Sequence, residues 1–98
     1  MLDKLQEMQA KMEEMKKRLD DVQVTASSED GKIKVIANAN RKIVDVSIGY
    51  EKEEYDKELI EDQLYIVLNR VLEQAEKVNE AEMQGAAKDM LPGGFPSF

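Results

Sequence analysis

The spacing of apolar residues changes twice along this chain, and no single type of secondary structure fits all of it. Up to Leu19 they fall at Met1, Leu5, Met8, Met12, Met15 and Leu19, in steps of three and four. From Val22 to Tyr50 they mostly fall at every second position, and from Leu59 the steps of three and four return. A step of 3.6 belongs to a helix face and a step of two to a strand face. The order is therefore helix, strands, helix.

The first segment, to about Val22, lacks glycine, proline and any β-branched run, so its residues favour a helix. Its seam of Leu5, Met8, Met12, Met15 and Leu19 is only two residues wide per heptad. A stripe that narrow suits a coiled-coil-like contact more than a helix sunk in a core. Methionine is unbranched and polarizable, so it adapts to an irregular partner. The seam can pack on the far half of the second helix, on a second subunit, or on another protein.

Three strands are expected next. Val24 and Ala26 alternate with Gln23, Thr25 and Ser27, and SSEDG then supplies a turn ending at Asp30-Gly31. In KIKVIANA, Ile33, Val35, Ala37 and Ala39 take the core face. Asn40-Arg41 makes a second short turn. In KIVDVSIGY, Val44, Val46, Ile48 and Tyr50 are expected inside, opposite Ile43, Asp45, Ser47 and Gly49. Tight turns between alternating runs give an antiparallel meander with one face on the core.

Asp56 is placed to cap a second helix, with Tyr55 and Ile60 spaced as a hydrophobic staple. Its apolar set is wide from Leu59 to Ala75 and narrows at Val78 and Ala81. The first half should lie on the sheet and the second should project beyond it, with Gly85 as a stop or AAKDML adding one more turn. Residues 1–88 are expected to form one α+β domain (α-β-β-β-α). Residues 89–98, ending LPGGFPSF, are expected to form a flexible tail.

Composition excludes much chemistry. The 98 residues contain no cysteine, histidine or tryptophan. The commonest bases, nucleophiles and transition-metal ligands are missing, and no glycine-rich phosphate loop is present. No catalysis, cofactor, metal or small-molecule substrate is expected. No run is long and apolar enough to span a membrane, and the N-terminus is not patterned as a secretory signal, so a reducing cytoplasm is expected.

The formal net charge is −7, which taken alone argues against nucleic acid as a partner. Its distribution is uneven. Residues 32–42 carry Lys32, Lys34, Arg41 and Lys42 with no acid, whereas 51–62 carry seven acids and two bases. Lys16, Lys17 and Arg18 form a smaller basic cluster among acids. These seven are the candidate phosphate contacts, and for each the ordinary alternative is a solvated cation.

The order of LQEMQAKMEEMKKRL, VTASSEDGKIKVIANANRKIVDVSI, LIEDQLYIVLNRVLEQAEKVNEAEM and LPGGFPSF resembles the YbaB/EbfC family of bacterial nucleoid-associated proteins. The likeness runs nearly the whole length. One departure is ANANRKI, where many relatives carry Asn-Gly. The resemblance implies a homodimer in which two sheets join and the helices project as arms. It also implies binding of double-stranded DNA with little or loose sequence preference, on the nucleoid in the cytoplasm. The alternative reading is an acidic adaptor whose Met-rich helix and tail meet partner proteins, without direct DNA binding. It would be marked by acids surrounding the basic residues, whereas a DNA binder would hold them apart.

Overall fold

A computed structural model gives the structure of residues 2–90, with side chains described for 3–86. Helix α1 spans Leu2–Asp20. Strands β1 (Gln23–Ser27), β2 (Ile33–Asn38) and β3 (Ile43–Ile48) follow, then a short 3-10 turn (Lys52–Glu54) and helix α2 (Lys57–Met90). The sheet is an antiparallel meander in the order β1-β2-β3. The sequence-based order of elements is therefore the observed one. The tail beyond Met90 lies outside the described residues.

Two apolar clusters hold the chain together. Between sheet and α2, Ala26, Ile33, Val35 and Ala37 bury against Ile60, Val67 and Val71. Between α1 and the far part of α2, Met15 and Leu19 bury with Ala39, and Met12, Val78, Met83 and Ala86 pack around them. The result is long and thin, 65 × 28 × 15 Å, with a radius of gyration of 18.7 Å. A compact chain of this length would have about 13 Å.

The amide of Leu59 donates to the Asp56 carboxylate at 3.3 Å, so Asp56 caps α2 as its position in the sequence implies. Tyr55 stays largely exposed. Gly85 does not end α2, which continues to Met90. Glycine costs about 1 kcal/mol in a helix interior. The contact of Ala86 with the Met15–Leu19 cluster, one residue further on, is available to offset that cost.

The expected inner face of β3 is wrong in two ways. A bulge between Ile36 and Ala37 of the β2 ladder pairs Asp45 with Ile36 but Ile43 with Ala37, leaving Val44 as the extra residue. Ile43 thus joins Val46 and Ile48 on the helix side. That side is also largely uncovered, since Ile43, Val46 and Ile48 are each 41–43% exposed, and the bulge residue Val44 is 50% exposed. A helix is about 10–12 Å wide and strands lie about 4.8 Å apart, so one helix covers roughly two strands. Here α2 covers β1 and β2. Of the four residues expected inside, only Tyr50 packs against the core.

The α1 seam is likewise uneven. Met15 and Leu19 are buried and Met12 is partly so, while Met8 is 46% and Leu5 58% exposed. Met15→Ala should cost about 2–5 kcal/mol by urea denaturation, as for other emptied core sites. Met8→Ala should cost well under half of that. Equal losses would contradict this packing.

Candidate nucleic-acid interface

The β2–β3 turn is where the basic residues gather. Ala39 is fully buried, and its amide lies within hydrogen-bond reach of the Leu19 and Val22 carbonyls, at 3.1 and 2.9 Å. Its own carbonyl accepts from the Asn79 amide group of α2 at 2.9 Å. Asn40 donates from Nδ2 to the Lys16 carbonyl at 2.8 Å and to the Asp20 carboxylate at 2.6 Å. The turn is thereby docked on the last turns of α1, with Asn40, the residue before Arg41 and Lys42, on the Lys16 backbone. Lys16, Arg41 and Lys42 are exposed. Asp20 spends its carboxylate on Asn40 and, at 3.4 Å, on Asn38.

The consecutive cations of α1 separate, because successive helical residues point about 100° apart. Lys17 and Arg18 turn away from Lys16 and, with Lys11, line an open cleft of about 660 Å³ between α1 and the Gly85–Ala86 region of α2. Glu14 and Glu82 share that cleft. Lys11 was not among the candidates. Its spacing of seven from Arg18, two helical turns along the same face, was the available signal.

Lys32 and Lys34 do not join this group. Lys34 lies exposed on the open face of the sheet, opposite Ser27 and Ser47. Lys32 is tied down at the other end of the sheet. Its ammonium meets the Glu54 carboxylate at 2.8 Å and sits 5.8 Å from the Tyr50 ring centroid. The hydrogen bond from Lys32 lowers the Glu54 pKa, and Glu54 in turn raises that of Lys32. Among the described residues, Lys32 is the one of the seven candidates that forms an ion pair.

That same end holds the acids. β3 runs away from Arg41 and Lys42 and ends where Ile48 pairs with Ile33. The segment from Glu51 to Asp62 therefore begins beside the β1–β2 turn, a strand length of about 20 Å from the basic turn. The 51–62 acids are held apart from the basic group by the sheet, whereas Glu14, Asp20 and Glu82 share its end.

Asn38, Asn40 and Asn79 position the basic turn; of the three, the sequence reading marks only Asn40, as a turn residue. Asn38 is buried, and its Oδ1 accepts from the amides of Asn40 and Lys42 at 2.9 and 3.1 Å. Two asparagines flanking a short loop carried the signal, since such side chains bond the backbone two residues on.

The acidic end has its own network. The Asp30 carboxylate accepts from the Ser28 hydroxyl, the Tyr50 hydroxyl and the Lys32 amide, in that order of effect, which holds its pKa at about 2 instead of 3.8. The Tyr50 hydroxyl, donating to Asp30 at 2.6 Å, is pushed up to about 12. A carboxyl depressed in the folded state stabilises the fold above its unfolded pKa, and that contribution is lost as pH falls toward the folded value. Wild type should therefore lose urea resistance between about pH 4 and pH 2 more steeply than Asp30→Asn. Identical acid limbs would contradict the network.

The fold and the sequence both match known proteins. A crystal structure of an uncharacterized protein of Helicobacter pylori, HP0035, superposes with a TM-score of 0.66 at 25% identity, over 89% of this chain and 98% of that one. A Flavobacterium johnsoniae protein named nucleoid-associated protein is 45% identical over 92 residues, covering 94% of this chain and 86% of its own. The model of the YbaB/EbfC DNA-binding family matches residues 1–90, and the chain belongs to that family.

Proposed function

We propose that this chain is a nucleoid-associated protein that binds double-stranded DNA through its phosphates, with little or loose sequence preference. The observation that carries the reading is the segregation of charge. Lys16, Arg41 and Lys42, with Lys17 and Arg18 on the adjoining face, occupy one end, and the 51–62 acids begin at the other. A protein of net charge −7 meets a polyanion most favourably where its most acidic segment lies elsewhere, as here, although Glu14, Asp20 and Glu82 share the basic end. Lysine and arginine spread over a surface position a duplex without reading its bases. The names of the family and of the Flavobacterium relative agree with DNA as the ligand. The place of action is then the nucleoid in the cytoplasm, with an influence on nucleoid organisation or gene expression.

The working unit in this reading is a homodimer joined through β3. An edge strand carrying four half-exposed aliphatic residues and a single charge, Asp45, is a ready template for pairing. The opposite edge is less suited to pairing. β1 presents Gln23, Thr25 and Ser27, and Arg70 of α2 donates to the Ser27 carbonyl at 3.3 Å. Because Arg70 marks the β1 flank of α2, Leu68 and Leu72 lie on the β3 flank. They extend the apolar strip a second copy would cover. A two-fold pairing also doubles the basic ends.

Two measurements test this. Affinity for unrelated duplexes should fall together on a log–log plot against salt, by a slope of about 0.9 per phosphate contact. Lys16→Gln with Lys42→Gln should weaken every duplex alike and make the slope shallower. Absence of binding at low salt by a folded protein would defeat the reading. Separately, Val46→Asp should turn a dimeric mass in light scattering into a monomeric one, and a monomeric wild type would remove the β3 interface. The half-exposed Leu5 and Met8 favour the adaptor alternative, in which partner capture would survive nuclease treatment.

A further inference from the structure

The two hairpins of the sheet differ in loop length, four residues (29–32) in the first and three (39–41) in the second, but share one local turn and fill its most demanding position differently. In each, an amide donates to the carbonyl three residues back: Gly31 to Ser28 at 2.9 Å and Arg41 to Asn38 at 3.0 Å. The donating residue is left-handed in both, with φ of 74° at Gly31 and 64° at Arg41. In the second hairpin, closed by the Asn38 amide on the Lys42 carbonyl at 2.8 Å, a turn followed by one left-handed residue makes the familiar three-residue loop. Glycine is its default occupant, because a Cβ there crowds the following carbonyl. Arg41 is the one non-glycine residue with positive φ among the described residues.

The loop is fixed by side chains other than that of Arg41. Asn38 Oδ1 accepts two amides across it, and Asn40 ties it to Lys16 and Asp20. A strained residue persists where its surroundings over-determine the backbone in this way. The Arg41 side chain is exposed, and among the described residues no ion pair involves it. Among the described residues, no side-chain hydrogen bond or ion pair of Arg41 offsets its backbone conformation.

We infer that Arg41 is held in this position for a contact outside the chain, as the anchoring cation of the DNA interface. The inference rests on the DNA-binding reading above. The guanidinium fork matches a phosphate with two parallel hydrogen bonds. Presented from a pinned turn, it has less freedom to lose than a lysine on a helix. Arg41 should therefore contribute more to affinity than its neighbours Lys16 and Lys42, although all three carry one charge. The fold gives up some stability to keep it there.

The test uses the full chain, a short duplex of arbitrary sequence and the variants Arg41→Gly, Arg41→Asn, Arg41→Lys and Lys42→Gln. Glycine and asparagine both tolerate the left-handed region, so these variants should raise the thermal midpoint at fixed protein concentration by about 2–6 °C. The same two should lose roughly tenfold or more in DNA affinity, the scale of a charged hydrogen bond. Arg41→Lys should keep the wild-type midpoint and still lose several-fold in affinity. Lys42→Gln should lose less affinity, with no rise in midpoint. Wild-type affinity in Arg41→Gly, with Lys42→Gln weakened, overturns the anchor and leaves DNA binding standing. Midpoints that fall in both Arg41→Gly and Arg41→Asn overturn the strain. No DNA binding by wild type overturns both readings at once.

Discussion

Ala39 is the joint on which the rest of this structure depends. Its methyl group is buried with Met15 and Leu19, its amide faces the end of α1, and its carbonyl accepts from α2. All three layers of the chain meet at that residue. Apart from the joint and the asparagine bonds beside it, α1 meets the remainder through its soft methionine seam, which specifies geometry loosely. With the joint, the helix has a fixed origin and the seam needs only to be apolar. The methionines near the joint are buried and those far from it are not, as expected of an arm fixed at one end.

The joint also determines where charge lies. By docking the β2–β3 turn on α1, it joins two basic groups more than twenty residues apart in sequence. The sheet then sets the distance to the acids. A net charge of −7 is thus compatible with a basic end, because the electrostatic field of a protein depends on placement as well as sum. The same three-stranded sheet is too wide for one helix. The strand that α2 leaves bare is also an edge strand, so uncovered apolar surface and unpaired backbone coincide on β3. One geometrical shortfall accounts for both features that a second copy would satisfy.

Much of the fold was legible in the sequence. The changes of period located every main element, and Ile33, Val35, Ala37 and Ala39 are buried as their alternation implies. Asp56 caps α2 because capping is decided within three residues. What could not be read was non-local. Val44 alternates correctly with Val46 and Ile48, but a bulge opposite Ile36 and Ala37 breaks the register. Gly85 reads as a stop, whereas Ala86 has a packing partner some seventy residues upstream. Lys32 sits in an acid-free run, yet its counter-charge, Glu54, arrives from 22 residues away. The division of Lys16 from Lys17 and Arg18 was readable from helical geometry alone. The left-handed backbone of Arg41 was not, since nothing in Asn40-Arg41 distinguishes an arginine that tolerates the turn from one that is strained by it.

The central claim is that DNA meets the end of the molecule built around the Ala39 joint. It is tested most directly by following backbone amide NMR shifts while a short duplex is added at low salt. The account predicts that the largest changes fall at residues 16–18 and 39–42, fade as salt is raised, and leave residues 51–62 unmoved. Changes centred on 51–62 or on the outer half of α1, with 39–42 unaffected, would contradict it.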